Sequence, residues 1–124
     1  MPKNLFTTEW ADAAFPRSRT DDFFEALFGG AEDGAYDILF RFVRAEGNVL
    51  EFAFELHERP GKCLACNLTY GLPQVFSRHP IINAKGLAAA VAEAMGKPLS
   101  VWEIKPTREI RHGLHSMPLH ITLT

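Results

Sequence analysis

Cys63 and Cys66 stand three residues apart just after Pro60-Gly61, a turn signal. A CxxC pair can hold a metal ion or cycle between thiol and disulfide when a turn brings its two sulfurs together. Zinc is the ion such thiols would take, and it needs about four ligands. His57 and His79 are the nearest histidines that could complete the set. On an extended strand, however, residues three apart point to opposite faces, so the sulfurs diverge unless residues 61–66 form a knuckle. The simpler reading makes them unconnected strand cysteines, with Cys66 a small core residue. No cofactor is then expected.

A second candidate lies at Ser77-Arg78-His79, upstream of Asn83. The N–H groups at a helix start could join Arg78, His79, Asn83 and Lys85 around a carboxylate or phosphate. No glycine-rich phosphate loop accompanies them, so a nucleotide site is not supported. His112, His115 and His120 fall close together, but Gly113 and Pro118 argue against the helix that a His-x-x-His metal site would use. Exposed strand histidines explain them more simply. Ser18, Ser77, Ser100 and Ser116 lack nucleophile-elbow context. Glu51 and Glu55 alternate like ordinary polar strand residues, so no catalytic residue emerges.

The totals bound what these residues can belong to. The chain has 124 residues, enough for one globular domain over 1–124 with residues 1–17 as an N-terminal arm. All ten phenylalanines fall within the first 76 residues, ample aromatic area for a core or an interface. The net charge of −2 carries no nucleic-acid footprint. Charge is nonetheless uneven: residues 1–58 hold 12 acidic and 5 basic side chains, residues 59–124 hold 3 and 8. The halves either neutralise each other or leave a basic face for an anion or acidic partner. No apolar run is long enough for a membrane helix, and the first residues lack a signal-peptide h-region, so a cytoplasmic location is expected.

The elements that must position these groups are partly legible. Thr7 or Thr8 can cap a helical turn over residues 9–15, with Trp10 and Phe15 docking on the body. Thr20 reads as the N-cap of a helix over 21–28 that Gly29-Gly30 ends. Residues 36–43 and 50–57 alternate with period two around Glu46-Gly47-Asn48, which predicts a β-hairpin. Centring it on Gly47 sets Phe42 opposite Phe52, Phe40 opposite Phe54 and Ile38 opposite Leu56. A third strand over 64–70 would place Leu64, Cys66, Leu68 and Tyr70 on the same Phe-rich face. Residues 74–82 read as a loop. Asn83 caps a helix over 84–95, with Gly96 as its stop. Strands over 99–105 and 119–123 follow, with His112-Gly113 as a turn between them. The fold class is α+β: one antiparallel sheet of about five strands, two helices on one face, in the order α-β-β-β-α-β-β.

The run Leu64-Ala65-Cys66-Asn67-Leu68-Thr69-Tyr70-Gly71-Leu72-Pro73, continuing through Phe76-Ser77-Arg78-His79-Pro80, resembles a small uncharacterised family of bacterial proteins, some of which carry a homeobox-type name. No three-helix pattern or basic recognition helix supports that name here. The element order is also similar to secretion-chaperone-like folds, a resemblance that implies dimerisation through the sheet. Leu39, Val43 and Ala53 make the polar face of the hairpin partly apolar, which agrees with pairing to a second sheet or subunit. The sequence thus suggests a homodimeric binding or interaction domain. The alternatives are a metal or thiol protein using Cys63 and Cys66, and an anion-binding domain using Arg78 and His79.

Overall fold

The computed structural model describes residues 2–16, 18–28, 36–61 and 72–124. It is α+β, with one open antiparallel sheet of five strands and helices on one of its faces. Helices α1 (Pro2–Leu5), α2 (Thr8–Ala14) and α3 (Ser18–Phe28) precede the hairpin β1 (Tyr36–Glu46) and β2 (Val49–Glu58). Then come α4 (Leu72–Arg78), α5 (Ala84–Met95), β3 (Leu99–Ile104), β4 (Arg108–Arg111) and β5 (Leu114–Leu123). The strand expected over 64–70 and both cysteines lie outside the described residues. Among the described residues no helix is long and apolar enough to cross a membrane.

The hairpin has the register its alternation predicts: Ile38, Phe40 and Phe42 oppose Leu56, Phe54 and Phe52. The turn itself has two residues, with Gly47 at φ 60 in the first position, where a type II′ turn asks for glycine. Such a turn alone would set Phe42 against Ala53. A bulge at Val43 adds the residue that restores the phenylalanine face.

The even-numbered residues of β2 (Leu50, Phe52, Phe54, Leu56) and the odd-numbered ones of β5 (Met117, Leu119, Ile121, Leu123) form the floor of the core. Phe6 and Phe15, just past the ends of α1 and α2, descend on it with Phe23 of α3 and Phe76 of α4, and Phe54 meets both Phe15 and Phe76 edge to face. The arm thus docks as expected. Tyr36 stands edge-on to Phe24 at one end of this layer, where burial raises the pKa of its phenol.

Three expectations need correction. Thr20 is not an N-cap: α3 starts at Ser18, and the Thr20 side chain is fully buried against β1. Residues 74–82 are not all loop. Leu72 and Phe76, four apart, bury one face of α4, and Pro73 costs little in a first turn whose N–H groups have no helical partner anyway. The last strand starts at Leu114, not 119, although Pro118 sits within it. The Pro118 carbonyl accepts from Lys105 N at 2.8 Å, so its missing donor faces the same side. That side is where the neighbouring ribbon is interrupted between β3 and β4, and no ladder bond is lost. The α5 helix is as expected, capped by the Asn83 side chain on Gly86 N and closed by Gly96 at φ 68, with Lys97 N bonded to Ala92 O.

Candidate functional site

Helices cover one face of the sheet, so the other is where side chains remain to meet a ligand. Its middle rows come from the odd-numbered residues of β2 and the even-numbered ones of β5. Glu51 (7% exposed), Ala53, Ser116 and Pro118 are buried, although no described helix or strand lies over them. Two rims flank Glu51 and Pro118 on this face. On one side the bulge in β1 carries Val43, 48% exposed, and Arg44. On the other, the Lys105-Pro106-Thr107 link leaves the ladder opposite Pro118 and rejoins it at Arg108. The result is a trough of about 410 Å³ lined by Val43, Arg44, Glu51, Lys105, Pro106, Arg108, Pro118 and His120.

Its chemistry follows from one cross-strand row. Arg44, Glu51, His120 and Glu103 are successive partners across β1, β2, β5 and β3. Arg44 Nε donates to Glu51 Oε1 at 3.1 Å, and His120 Nε2 lies 3.5 Å from the same oxygen. Beside the row, Lys105 Nζ sits 2.6 Å from Glu103 Oε1. That hydrogen bond, then the ammonium's charge, holds the Glu103 carboxyl below its usual range, and His120 lowers it further. Arg108, exposed on the rim and opposite Ser116, pairs with no carboxylate among the described residues. Among the described residues, the lining side chains supply cations, one carboxylate and an apolar wall, but no hydroxyl or thiol. Such an arrangement can hold an anionic group.

The residues singled out in the sequence fall elsewhere. Cys63 and Cys66 lie outside the described residues. His57 is on the same open face, but its Nε2 lies 3.0 Å from Glu55 Oε1. His79 packs its ring edge-on to Phe23, and its Nδ1 accepts from Ile81 N at 3.2 Å. Among the described residues no three His, Cys, Asp or Glu side chains are placed to hold a metal ion. Arg78 and His79 do come together, lining a shallow cavity of about 380 Å³ with Gln74, Val75 and Pro80. Asn83 and Lys85 are not in its lining: Asn83 is committed to its cap, and Lys85 is exposed in the first turn of α5. Glu51 and His120 looked like ordinary strand residues, and only the pairing of β2 with β5 sets them side by side. The available signal was Pro106, where the edge ribbon breaks, and Pro118, the strand residue opposite that break.

Comparison with protein-family models, curated proteins and solved structures found no match to this chain.

Proposed function

We propose that the chain is a small binding domain whose ligand occupies the trough on the open face of its sheet. The observation that carries this reading is the cavity of about 410 Å³ that buried Glu51 and Pro118 line between exposed rims, on a face that no described helix covers. Ligand sites are concave surfaces on which polar groups converge beside apolar ones, and in this trough Arg44, Glu51, Lys105, Arg108 and His120 converge beside Val43, Pro106 and Pro118.

The sequence also suggests self-association through the sheet. Two concave faces meet only at their rims and leave a void between them, which favours a ligand smaller than a second copy. Strand addition at the edges is disfavoured as well. On β1, Thr20 occupies the N–H and C=O of Ile38, and Arg41 Nη1 donates to Phe40 O and to Asp12, both at 2.8 Å. The opposite edge is broken at Pro106.

The test is a thermal-shift survey of small molecules on the natural chain and on Val43→Trp, whose indole would fill the trough from an exposed rim position. Ligands of the trough should raise the melting temperature of the natural chain and lose that effect in the variant. If every stabilising compound acts equally on both, the trough is not the site. Sedimentation over a wide concentration range gives the other arm, since a stable dimer that Val43→Trp disrupts would favour self-association.

A further inference from the structure

Building on that reading of the trough, we propose that its ligand is a small organic monoanion, a carboxylate on a short apolar body, anchored by Arg108. The argument starts from which charges are already spent. Arg44 is paired with Glu51, Lys105 with Glu103, and His120 faces Glu51. Arg108 is the lining cation left without a carboxylate among the described residues. One uncompensated cation calls for one negative charge. A second charge on the ligand would have to draw Arg44 from Glu51 or Lys105 from Glu103.

The shape of the donor narrows the class further. A guanidinium presents a planar fork of N–H groups that matches the two oxygens of a carboxylate. A phosphate dianion would seek a second cation that the trough has already committed. The rest of the lining is apolar where it faces away from the charge row: Val43 on one rim, Pro106 on the other and Pro118 on the floor. These surfaces suit an aromatic ring or a short alkyl chain. A volume of about 410 Å³ lies toward the small end of ligand pockets, which run from roughly 300 to 1,000 Å³.

The second cationic cavity, at Arg78 and His79, provides the internal control. It is shallow and drawn from one short stretch of chain, and Arg78 is exposed there as Arg108 is on the rim. Substituting each arginine in turn therefore asks which cavity holds the anion.

The experiment is a titration of the isotope-labelled chain with benzoate, benzamide and inorganic phosphate, read by amide chemical shifts and repeated on Arg108→Gln and Arg78→Gln. Benzoate should shift amides around Glu51, Pro118 and His120. Its affinity should fall about tenfold in Arg108→Gln, the loss expected for one charge-assisted pair at a partly exposed site, and stay unchanged in Arg78→Gln. Benzamide and phosphate should bind more weakly than benzoate. Both arginines are exposed, so melting temperatures near that of the natural chain will show that the variants fold. Benzamide binding in the trough as tightly as benzoate, with no dependence on Arg108, would sink the anion class while leaving the trough as a site. Phosphate binding more tightly than benzoate would overturn the organic monoanion. An affinity lost in Arg78→Gln but kept in Arg108→Gln would move the site to the other cavity. Absence of any benzoate-induced shift in the natural chain would reject the proposal.

Discussion

The Thr20 hydroxyl stands in for a strand along the outer edge of β1. Its Oγ1 accepts from Ile38 N at 3.1 Å and donates to Ile38 O at 3.4 Å, so one buried side chain satisfies both backbone groups of an edge residue. Nearby, Arg59 Nη2 ties α3 to the sheet, 2.8 Å from Asp21 and 3.0 Å from Asp37, while its guanidinium lies over the Phe24 ring. The N-terminal helices therefore close the sheet edge as well as covering its face.

Thr20→Val should test that substitution of hydroxyl for strand. The methyl fills the same space but leaves Ile38 N and O buried and unsatisfied, a loss of about 1–3 kcal/mol. Thr20→Ser keeps the hydroxyl and should recover most of the difference. Urea unfolding of the three proteins would show it as a shift of midpoint at constant slope. Equal midpoints for Val and the natural chain would mean the hydroxyl is dispensable.

Phe54 is the residue on which the core converges, within 6 Å of the ring centroids of Phe15, Phe40 and Phe76. Phe54→Ala should cost about 3–5 kcal/mol, the range for an aromatic truncation in a packed core. That is a large part of the roughly 5–15 kcal/mol that holds a domain of this size together. A variant that stays well folded, with its unfolding midpoint nearly unmoved, would show that the helical layer can collapse into the gap.

How far the sequence carries these relationships depends on their range along the chain. Helix α5 is legible to the residue because its signals are local: Asn83 caps, Gly96 stops, and Leu87 and Val91 give the buried stripe between them. The β1–β2 register is legible because one face is all phenylalanine and aliphatic, and that pressure fixes the pairing even though the turn supplies the wrong parity. The bulge at Val43 absorbs the mismatch, and nothing in the local pattern announces it. Thr20 reads as a cap because it precedes two aspartates, while its true partner lies 18 residues away. Of the trough, only the break marked by Pro106 and Pro118 left a trace in the sequence. Arg44, Glu51, Lys105, Arg108 and His120 meet only through the pairing of β2 with β5 and the break opposite Pro118, which are long-range facts.

Alkaline stability should be set in part by Tyr36. Its folded pKa is raised by burial, so the neutral phenol is favoured in the native state. The resulting stability is complete below the unfolded tyrosine pKa of about 10 and declines as pH rises above it, because the unfolded chain ionises first. Tyr36→Phe removes this loss, so its melting temperature should fall less than that of the natural chain between neutral pH and pH 11. Parallel curves for the two proteins would sink the idea.

Acid titration should single out Glu103. Its folded pKa is lowered by Lys105, so the linked stability is present above the ordinary glutamate pKa and is lost as pH falls through the folded value. Lys105→Gln removes both the hydrogen bond and the charge and should bring the Glu103 titration up toward the usual glutamate value. Side-chain carboxyl shifts in NMR read this directly. An unchanged Glu103 midpoint in the variant would place the cause elsewhere.

Glu51 decides the charge that a ligand meets in the trough. Its carboxylate spends Arg44 and faces His120, so Glu51→Gln would release a cation into the lining without changing the side chain's shape. At a separation of about 8 Å and an effective dielectric near 40, removing one negative charge is worth roughly 1 kcal/mol to an anion, or about fivefold in affinity. Benzoate should therefore bind Glu51→Gln several times more tightly than the natural chain, and phosphate should gain at least as much because two cations are then available. The double variant Glu51→Gln with Arg44→Gln should return both affinities to near their starting values. If Glu51→Gln weakens benzoate binding, the carboxylate serves the site by positioning Arg44 and His120, and its charge is not what limits the anion.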